Sequence, residues 1–322
     1  MPGNLEPPAR TGSHRPDVSL LIPAHNEAGN IPLLLEKIDR CFSANGLHGE
    51  AVLVNDGSTD GTGKLLDEAE SRYPWLRVAR QRRRRGLTAA LDRGFRLVRG
   101  EVVVFLPADL ESDPEEDVPK LLARLDEGYD VVAGWRQGRR DGKVFASRAY
   151  NWVSRILFGV RAHDMNWIKA FRREVVENLP PLRSDWHRFL LMIAASQGYR
   201  IGEVKTNYYP RREGRSKYGV TRIPISFLDV LVVKFLLAFS QKPMLFFGSL
   251  GLLSVLGGVG IDLYLWYLWL DRGKQLRPLF YFAGVLILAG LVLFLVGFLA
   301  ELVVNQAARI EAIERELRRR DV

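Results

Sequence analysis

From Pro243 to Val304 the chain is nearly free of charge, and no other feature restricts its fold so severely. Met244–Ile261 is a continuous apolar run. At the helical rise of 1.5 Å per residue it covers about 27 Å, close to the hydrocarbon thickness of a bilayer. Tyr264, Trp266, Tyr267 and Trp269 follow at once, and aromatic clusters of this kind mark the headgroup level. This spacing places Asp262 at the far interface rather than at the bilayer centre. A polar link, Asp271–Pro278, leads into a second apolar run from Leu279 to about Val304. The competing reading is a helical hairpin buried in a soluble protein. It is disfavoured because buried soluble helices rarely run this long without a polar face.

Two spans return the chain to its starting side, and the distribution of charge says which side that is. The chain carries 46 Lys and Arg against 37 Asp and Glu, a net charge of +9, concentrated before Lys242 and in the tail. Arg211, Arg212, Arg215, Lys217, Arg222 and the tail segment Arg315–Arg320 border the apolar region. They outnumber Arg272, Lys274 and Arg277 of the link, so the flanks are assigned to the cytoplasm and the spans to the inner (cytoplasmic) membrane. The basic balance favours anionic partners, and no nucleic-acid-binding signature accompanies it. The single cysteine, Cys41, excludes an internal disulfide and a cysteine-based zinc site. The expected organisation is a disordered, Pro- and Gly-rich lead at 1–17, an α/β domain at 18–219, and a helix at the bilayer surface over 220–242. Two transmembrane helices at 243–304 and a charged helical tail at 305–322 complete it.

Within 18–219, short apolar runs alternate with helical spacing. Strands are expected at Val18–Pro23, Ala51–Asp56, Leu76–Ala79, Val102–Pro107 and Tyr129–Gly134. Helices are expected at Asn30–Phe42, Gly61–Arg72, Thr88–Val98 and Glu115–Glu127. The alternation implies a mainly parallel sheet, whose ligands bind beyond the carboxyl ends of the strands. Three such ends are polar: PAHNE (Pro23–Glu27), NDGSTDGT (Asn55–Thr62) and PADLES (Pro107–Ser112). In the second, Asp56 and Ser58 can hydrogen-bond a ribose or base edge, while Gly57 lets the backbone approach closely. In the third, carboxylates can hold a divalent cation against a diphosphate. Each segment alone also reads as a turn or a helix cap. Three in order, each closing a buried strand, favour a site.

These segments, in this order, resemble the family-2 glycosyltransferases of the GT-A (Rossmann-like) fold, in particular the polyprenyl- or dolichyl-phosphate sugar synthases. Further matches are RGLTAALDRGF (Arg85–Phe95), HDMNWIKAFRREV (His163–Val175) and RREGRSKYG (Arg211–Gly219), and the two C-terminal spans suit the bacterial members of that branch. The resemblance implies that Pro23, Asn26, Glu27 and Asp56 contact the nucleotide and that Asp109 is the surviving acid of the metal motif. It implies that Arg136 and Arg148 meet the lipid phosphate and that Asp164 lies at the acceptor centre. Arg212, Ser216 and Lys217 would close over phosphates. The family motif Asp-Ala-Asp-Leu-Gln is here Pro107-Ala108-Asp109-Leu110-Glu111. Proline cannot ligate a metal, so Asp109 and Glu111 are the expected ligands of Mg²⁺ or Mn²⁺, with a weaker site than is usual.

The implied reaction moves a sugar from a nucleotide-diphosphate sugar to undecaprenyl or dolichyl phosphate with inversion. The acceptor is already anionic, so no strong general base is required. Asp164 is expected to orient the acceptor or to stabilise charge developing on the sugar. The basic run Arg82–Arg85 reads more readily as a solvated loop facing anionic lipid than as a diphosphate site, though Arg85 is a candidate for the latter. His163 and His187 lack metal-ligand spacing and are expected behind the site. A processive polysaccharide synthase would carry a Gln-x-x-Arg-Trp segment and more spans. A non-catalytic membrane scaffold with a degenerate metal site is the rival that Pro107 suggests, and another membrane acceptor is the rival within the enzyme class. Self-association is compatible with the sequence.

Overall fold

The computed structural model of the chain describes residues 15–138, 159–160, 162–182, 185–210, 232, 242–274 and 276–320. Arg148, Arg212, Ser216 and Lys217 lie outside the described residues, as do 1–14 of the expected lead and nearly all of the expected surface helix. The chain divides into two compact units, Met1–Leu228 and Asp229–Val322.

In the first unit, five strands coincide with the apolar runs: β1 (Val18–Ala24), β2 (Gly49–Asn55), β3 (Leu76–Arg80), β4 (Val102–Phe105) and β5 (Val131–Gln137). Two more, β6 (Lys169–Arg172) and β7 (Ile201–Asn207), have no continuous apolar run to announce them. Together they form a seven-stranded sheet in the order β3-β2-β1-β4-β6-β5-β7. β6 runs antiparallel to both β4 and β5, and every other pairing is parallel. Six carboxyl ends therefore lie along one edge, together with the first residue of β6, Lys169, which pairs with Phe105 at the end of β4.

Helices α1 (Ile31–Ala44), α2 (Thr62–Arg72), α3 (Leu87–Phe95), α4 (Pro114–Asp126), α5 (Arg173–Glu177) and α6 (Leu190–Ser196) connect or cover the strands. α1 buries Ile31, Leu34, Leu35, Ile38, Cys41 and Phe42, one face at 3.6-residue spacing. α4 starts sharply: Asp113 accepts the Glu115 N–H, Pro114 takes the first turn, and Glu115, Glu116 and Asp117 favour the positive end of the helix dipole. α3 lies so close to β1 that a Cβ on Gly94 would fall 2.0 Å from Leu21 Cδ1. At the amino ends of the strands, Glu50 is buried and accepts from Ser19 Oγ (2.7 Å), Arg99 N (2.6 Å) and Arg99 Nε (2.9 Å). Burial alone would raise its pKa, but these bonds outweigh it and hold the carboxylate below its usual range.

The second unit is a hairpin of α7 (Pro243–Arg272) and α8 (Arg277–Arg320). Only 17 % of the most apolar window of each helix is buried among the described residues. Both are long and apolar enough to cross a membrane. They meet through glycines. A Cβ on Gly251 would lie 2.6 Å from the Gly290 carbonyl, and one on Gly258 would lie 2.9 Å from the Ala283 carbonyl. Ser254 Oγ donates to the Leu286 carbonyl at 2.7 Å, and Glu301 accepts the Met244 N–H at 3.3 Å, covering one of the free donors that begin α7. The helix turns at Gly273, which adopts a left-handed φ of 61°. Asp262 is half-buried on α7, with Oδ1 shielded and without a hydrogen-bond partner among the described residues. α8 runs without a break through Arg320, into the charged helical tail expected at 305–322.

Candidate active site

The first two strand-end segments are laced to each other. Asn26 takes a left-handed φ of 57°, a conformation asparagine tolerates better than most residues. Its N–H donates to Ser58 Oγ (3.0 Å), and its Oδ1 accepts the Thr59 N–H (2.9 Å). Glu27 N–H donates to Thr62 Oγ1 (2.9 Å), Ala28 N–H to Asp60 Oδ2 (3.2 Å), and Ser58 N–H to Asn55 Oδ1 (3.0 Å). Asn26, Glu27 and Ser58 thus tie the ends of β1 and β2 to each other at the edge where the polar segments gather, and Pro23, half-buried, is the penultimate residue of β1.

Asp56 has a specific structural role. It is 4 % exposed, and its two oxygens accept the Arg85 N–H (2.7 Å) and the Gly86 N–H (2.8 Å). These charge-assisted bonds hold the arginine loop against the end of β2. Gly57 (φ 61°) allows the fit, because a Cβ there would lie 2.4 Å from backbone atoms of Arg83 and Arg84. Arg82, Arg83 and Arg84 then line a cleft of about 510 Å³ with His25, Asn55, Gly57, Ser58, Thr59 and Gln81. The four arginine side chains are exposed, as a solvated loop requires, but the loop is anchored at the site rather than hanging free.

Beyond β4 the chain turns through Leu110 at a φ of 58°, which costs a branched L-residue on the order of 1 kcal/mol. Asp109 Oδ1 accepts the Glu111 N–H at 3.2 Å. Glu111 is tied to the segment after β7 by Tyr208 OH at 3.4 Å and by the Tyr209 N–H to its carbonyl at 3.0 Å. The helix-cap reading of this segment belongs to Asp113, so Asp109 and Glu111 are not needed for capping. Ser112 Oγ donates to Asp117 Oδ2 at 2.6 Å, and burial pushes the Asp117 carboxyl up to about 6. Among the described residues no group of three metal-ligating side chains gathers. Two carboxylates with only hard oxygen donors still fit a divalent cation that takes its remaining ligands from a diphosphate and water.

At the next strand ends the structure joins two residues that the sequence offered separately. Arg136, on β5, donates to Asp164 through Nε (2.6 Å) and Nη2 (3.1 Å), with both side chains largely buried. The guanidinium stands over the Trp167 ring at 4.6 Å. Behind the pair, Glu203 accepts the His163 and Asp164 N–H groups (2.6 and 3.2 Å) and bonds His163 Nδ1 (2.7 Å), while His163 stacks on Trp135 at 4.0 Å. His187 Nδ1 bonds Thr88 Oγ1 at 2.8 Å. Sequence reasoning missed Lys169. It is fully buried at the head of β6, and Nζ donates to the Trp167 carbonyl at 2.7 Å. Burial lowers its pKa to about 8, opposed by the charge of Asp164 and assisted by that of Arg136. The available signal was a lysine between the apolar neighbours Ile168 and Ala170.

The profile of glycosyl transferase family 2 matches residues 19–180. Over 310 residues the chain is 32 % identical to the dodecaprenyl-phosphate galacturonate synthase of Rhizobium johnstonii, spanning 92 % of this chain and 90 % of that protein. It is 35 % identical over 210 residues to the undecaprenyl-phosphate 4-deoxy-4-formamido-L-arabinose transferase of Pseudomonas paraeruginosa, spanning 64 % and 61 %. The Klebsiella pneumoniae transferase of the same name is 29 % identical over 263 residues, spanning 80 % and 78 %. Among solved structures, glucosyl-3-phosphoglycerate synthase from Mycobacterium tuberculosis, in complex with Mn²⁺, UDP and glucosyl-3-phosphoglycerate, superposes with a TM-score of 0.54. It shares 22 % identity and covers 72 % of this chain and 86 % of that one. That likeness shows the fold, an α/β core of the GT-A type.

Proposed function

The chain belongs to glycosyl transferase family 2, and on that premise we propose that it transfers a sugar from a nucleotide-diphosphate sugar to a polyisoprenyl phosphate, inverting the anomeric carbon. One observation carries this reading. A sheet whose polar strand ends gather at one edge shares its chain with an uncovered apolar hairpin, and the likeness to a polyprenyl-phosphate sugar synthase runs through 92 % of that chain.

The catalytic unit is 18–219, flanked by a surface helix at 220–242, spans at 243–304 and a cytoplasmic tail. Pro23, Asn26, Glu27, Asp56 and Ser58 frame the nucleotide, and Arg212, Ser216 and Lys217 close over phosphates. Asp109 and Glu111 would hold a divalent cation, which supplies positive charge against the leaving diphosphate. Arg136 and Arg148 receive the lipid phosphate. Asp164, already clamped by Arg136, has its charge committed to an ion pair, which supports an orienting role over proton abstraction. Catalysis then rests on in-line positioning and charge neutralisation.

The test offers the full-length enzyme in detergent a panel of radiolabelled UDP- and GDP-sugars with undecaprenyl or dolichyl phosphate. The expected product is a radiolabelled, organic-extractable lipid-linked monosaccharide. Binding of nucleotide without transfer to any polyprenyl phosphate would instead identify a scaffold or a different acceptor.

A further inference from the structure

We infer that Trp167 is a positioning residue for the acceptor: its indole fixes the Arg136 guanidinium in the setting that receives the phosphate of the polyprenyl phosphate. The inference rests on the proposed acceptor and adds a residue to the site that holds it.

Three strands contribute to the seat of this indole. Arg136 on β5 and Thr206 on β7 are register partners, so their side chains lie on one face of the sheet. Gly134, two residues before Arg136, belongs to the same face, and a Cβ there would lie 2.9 Å from Trp167 Cδ1. The missing side chain leaves the room that the indole takes. Trp167 enters β6 from its amino end; its Nε1 donates to Thr206 Oγ1 at 3.2 Å, and its carbonyl accepts Lys169 Nζ at 2.7 Å. Its ring centre lies 4.6 Å from the Arg136 guanidinium carbon. Ring edge, ring face and backbone are thus each engaged, and the residue is only 5 % exposed. Burial alone would be met by any large apolar side chain. The bond to Thr206 and the cation over the face are what call for tryptophan.

Two neighbours hold the guanidinium. Asp164 takes Nε and Nη2, and is itself fixed by the Asn166 N–H at 3.2 Å. Nη1 makes no hydrogen bond to a described residue. The indole is the second neighbour, and an aromatic face attracts a cation through its quadrupole without using any N–H donor. A second carboxylate in the same place would consume donors and repel a phosphate. The indole therefore restrains the guanidinium while leaving its remaining N–H groups for an anion. A group restrained in its bound setting has less freedom to lose on binding, which favours the complex.

The test replaces Trp167 with progressively fluorinated tryptophans, which keep the shape and drain the ring face of electron density. Steady-state kinetics of the full-length enzyme in detergent follow the radiolabelled UDP- or GDP-sugar it uses, with undecaprenyl phosphate and separately dolichyl phosphate as acceptor. The KM for the polyprenyl phosphate should climb with fluorination by roughly five- to ten-fold, the scale of a partly desolvated cation–π contact. The KM for the sugar nucleotide should keep its wild-type value, and kcat should change little, as loss of uniform binding requires. Trp167→Phe, which keeps an aromatic face, should raise the acceptor KM less than Trp167→Leu. An acceptor KM that is flat across the fluorinated series, or a donor KM that climbs with it, would overturn the inference and leave the proposed function standing. A wild type that transfers no sugar to either lipid would overturn both.

Discussion

Leu20 and Ile22 of β1 and Ile31, Leu34 and Ile38 of α1 belong to one fully buried cluster, whereas α7 and α8 meet at Gly251, Gly258 and Gly290, where there is no side chain to bury. The contrast follows from the surroundings of each region. In water, large apolar side chains drive packing because burial removes them from solvent. In lipid that gain is missing, and helices associate by bringing their backbones close. The polar residues divide in the same way. Those of the α/β unit gather at strand ends in bonded networks, while the apolar stretches Met244–Leu270 and Leu279–Val304 of the hairpin hold, aromatics aside, Ser249, Ser254, Asp262 and Glu301. Placing chemistry in one region and anchorage in the other predicts that substitutions separate into those that stop transfer and those that loosen the hairpin.

The largest expected effect tests that separation directly. Asp109→Asn should lower transfer by roughly a hundred-fold or more, the scale of a lost charge-stabilising group, with membrane association intact by flotation. Near-normal turnover would remove Asp109 from the site. Next comes the buried pair. Arg136→Met strands the Asp164 carboxylate and should cost about 3–5 kcal/mol in denaturant unfolding, along with activity. The double variant Arg136→Met/Asp164→Leu should recover stability but not turnover. If it recovers both, the pair is structural only.

The hairpin supplies the third test. Gly251→Leu places a branched side chain against the Gly290 carbonyl, which cannot yield, and should destabilise the hairpin by about 1–3 kcal/mol. Cross-linking between cysteines introduced on α7 and α8 would report the separation, while nucleotide affinity should stay at the wild-type value. A change in that affinity would blur the division between the two regions.

The smallest effect is a pH dependence. The Lys169 pKa is lowered to about 8 from 10.5, so across that window the unfolded chain binds more protons than the folded one. Stability rises with pH there and is lost again as pH falls through the folded value. Wild type should gain about 1 kcal/mol relative to Lys169→Met between about pH 7.5 and about pH 9. Parallel profiles for the two proteins would mean that the ammonium is better solvated than its burial implies.

These residues also show how far a sequence can be read. β1 to β5 were legible because each is a buried run bounded by polar residues, and the three polar segments stood out because they close such runs. β6 was not: Lys-Ala-Phe-Arg has no apolar run, and the lysine is buried only because the sheet surrounds it. The bond between Arg136 and Asp164 depends on β5 and the approach to β6 lying side by side, which no local pattern encodes. Asp56 was correctly placed at a strand tip. That its carboxylate holds the Arg82–Arg85 loop was hidden because the partners are backbone amides, which carry no residue signature.

The unbroken course of α8 sets how the charged segment beyond Ala307 can explore its surroundings. Forty-four helical residues extend about 66 Å, more than twice the thickness of a hydrocarbon layer. The residues beyond Ala307 therefore form a mast rather than a tether. A flexible strand of the same length would sweep a sphere of roughly 20 Å in every direction, whereas a rod commits that reach to one heading. With the apolar part of α8 in a bilayer, as proposed, the tilt of that part would set the heading of the charged segment, and a thicker or thinner bilayer would raise or lower it like the needle of a gauge.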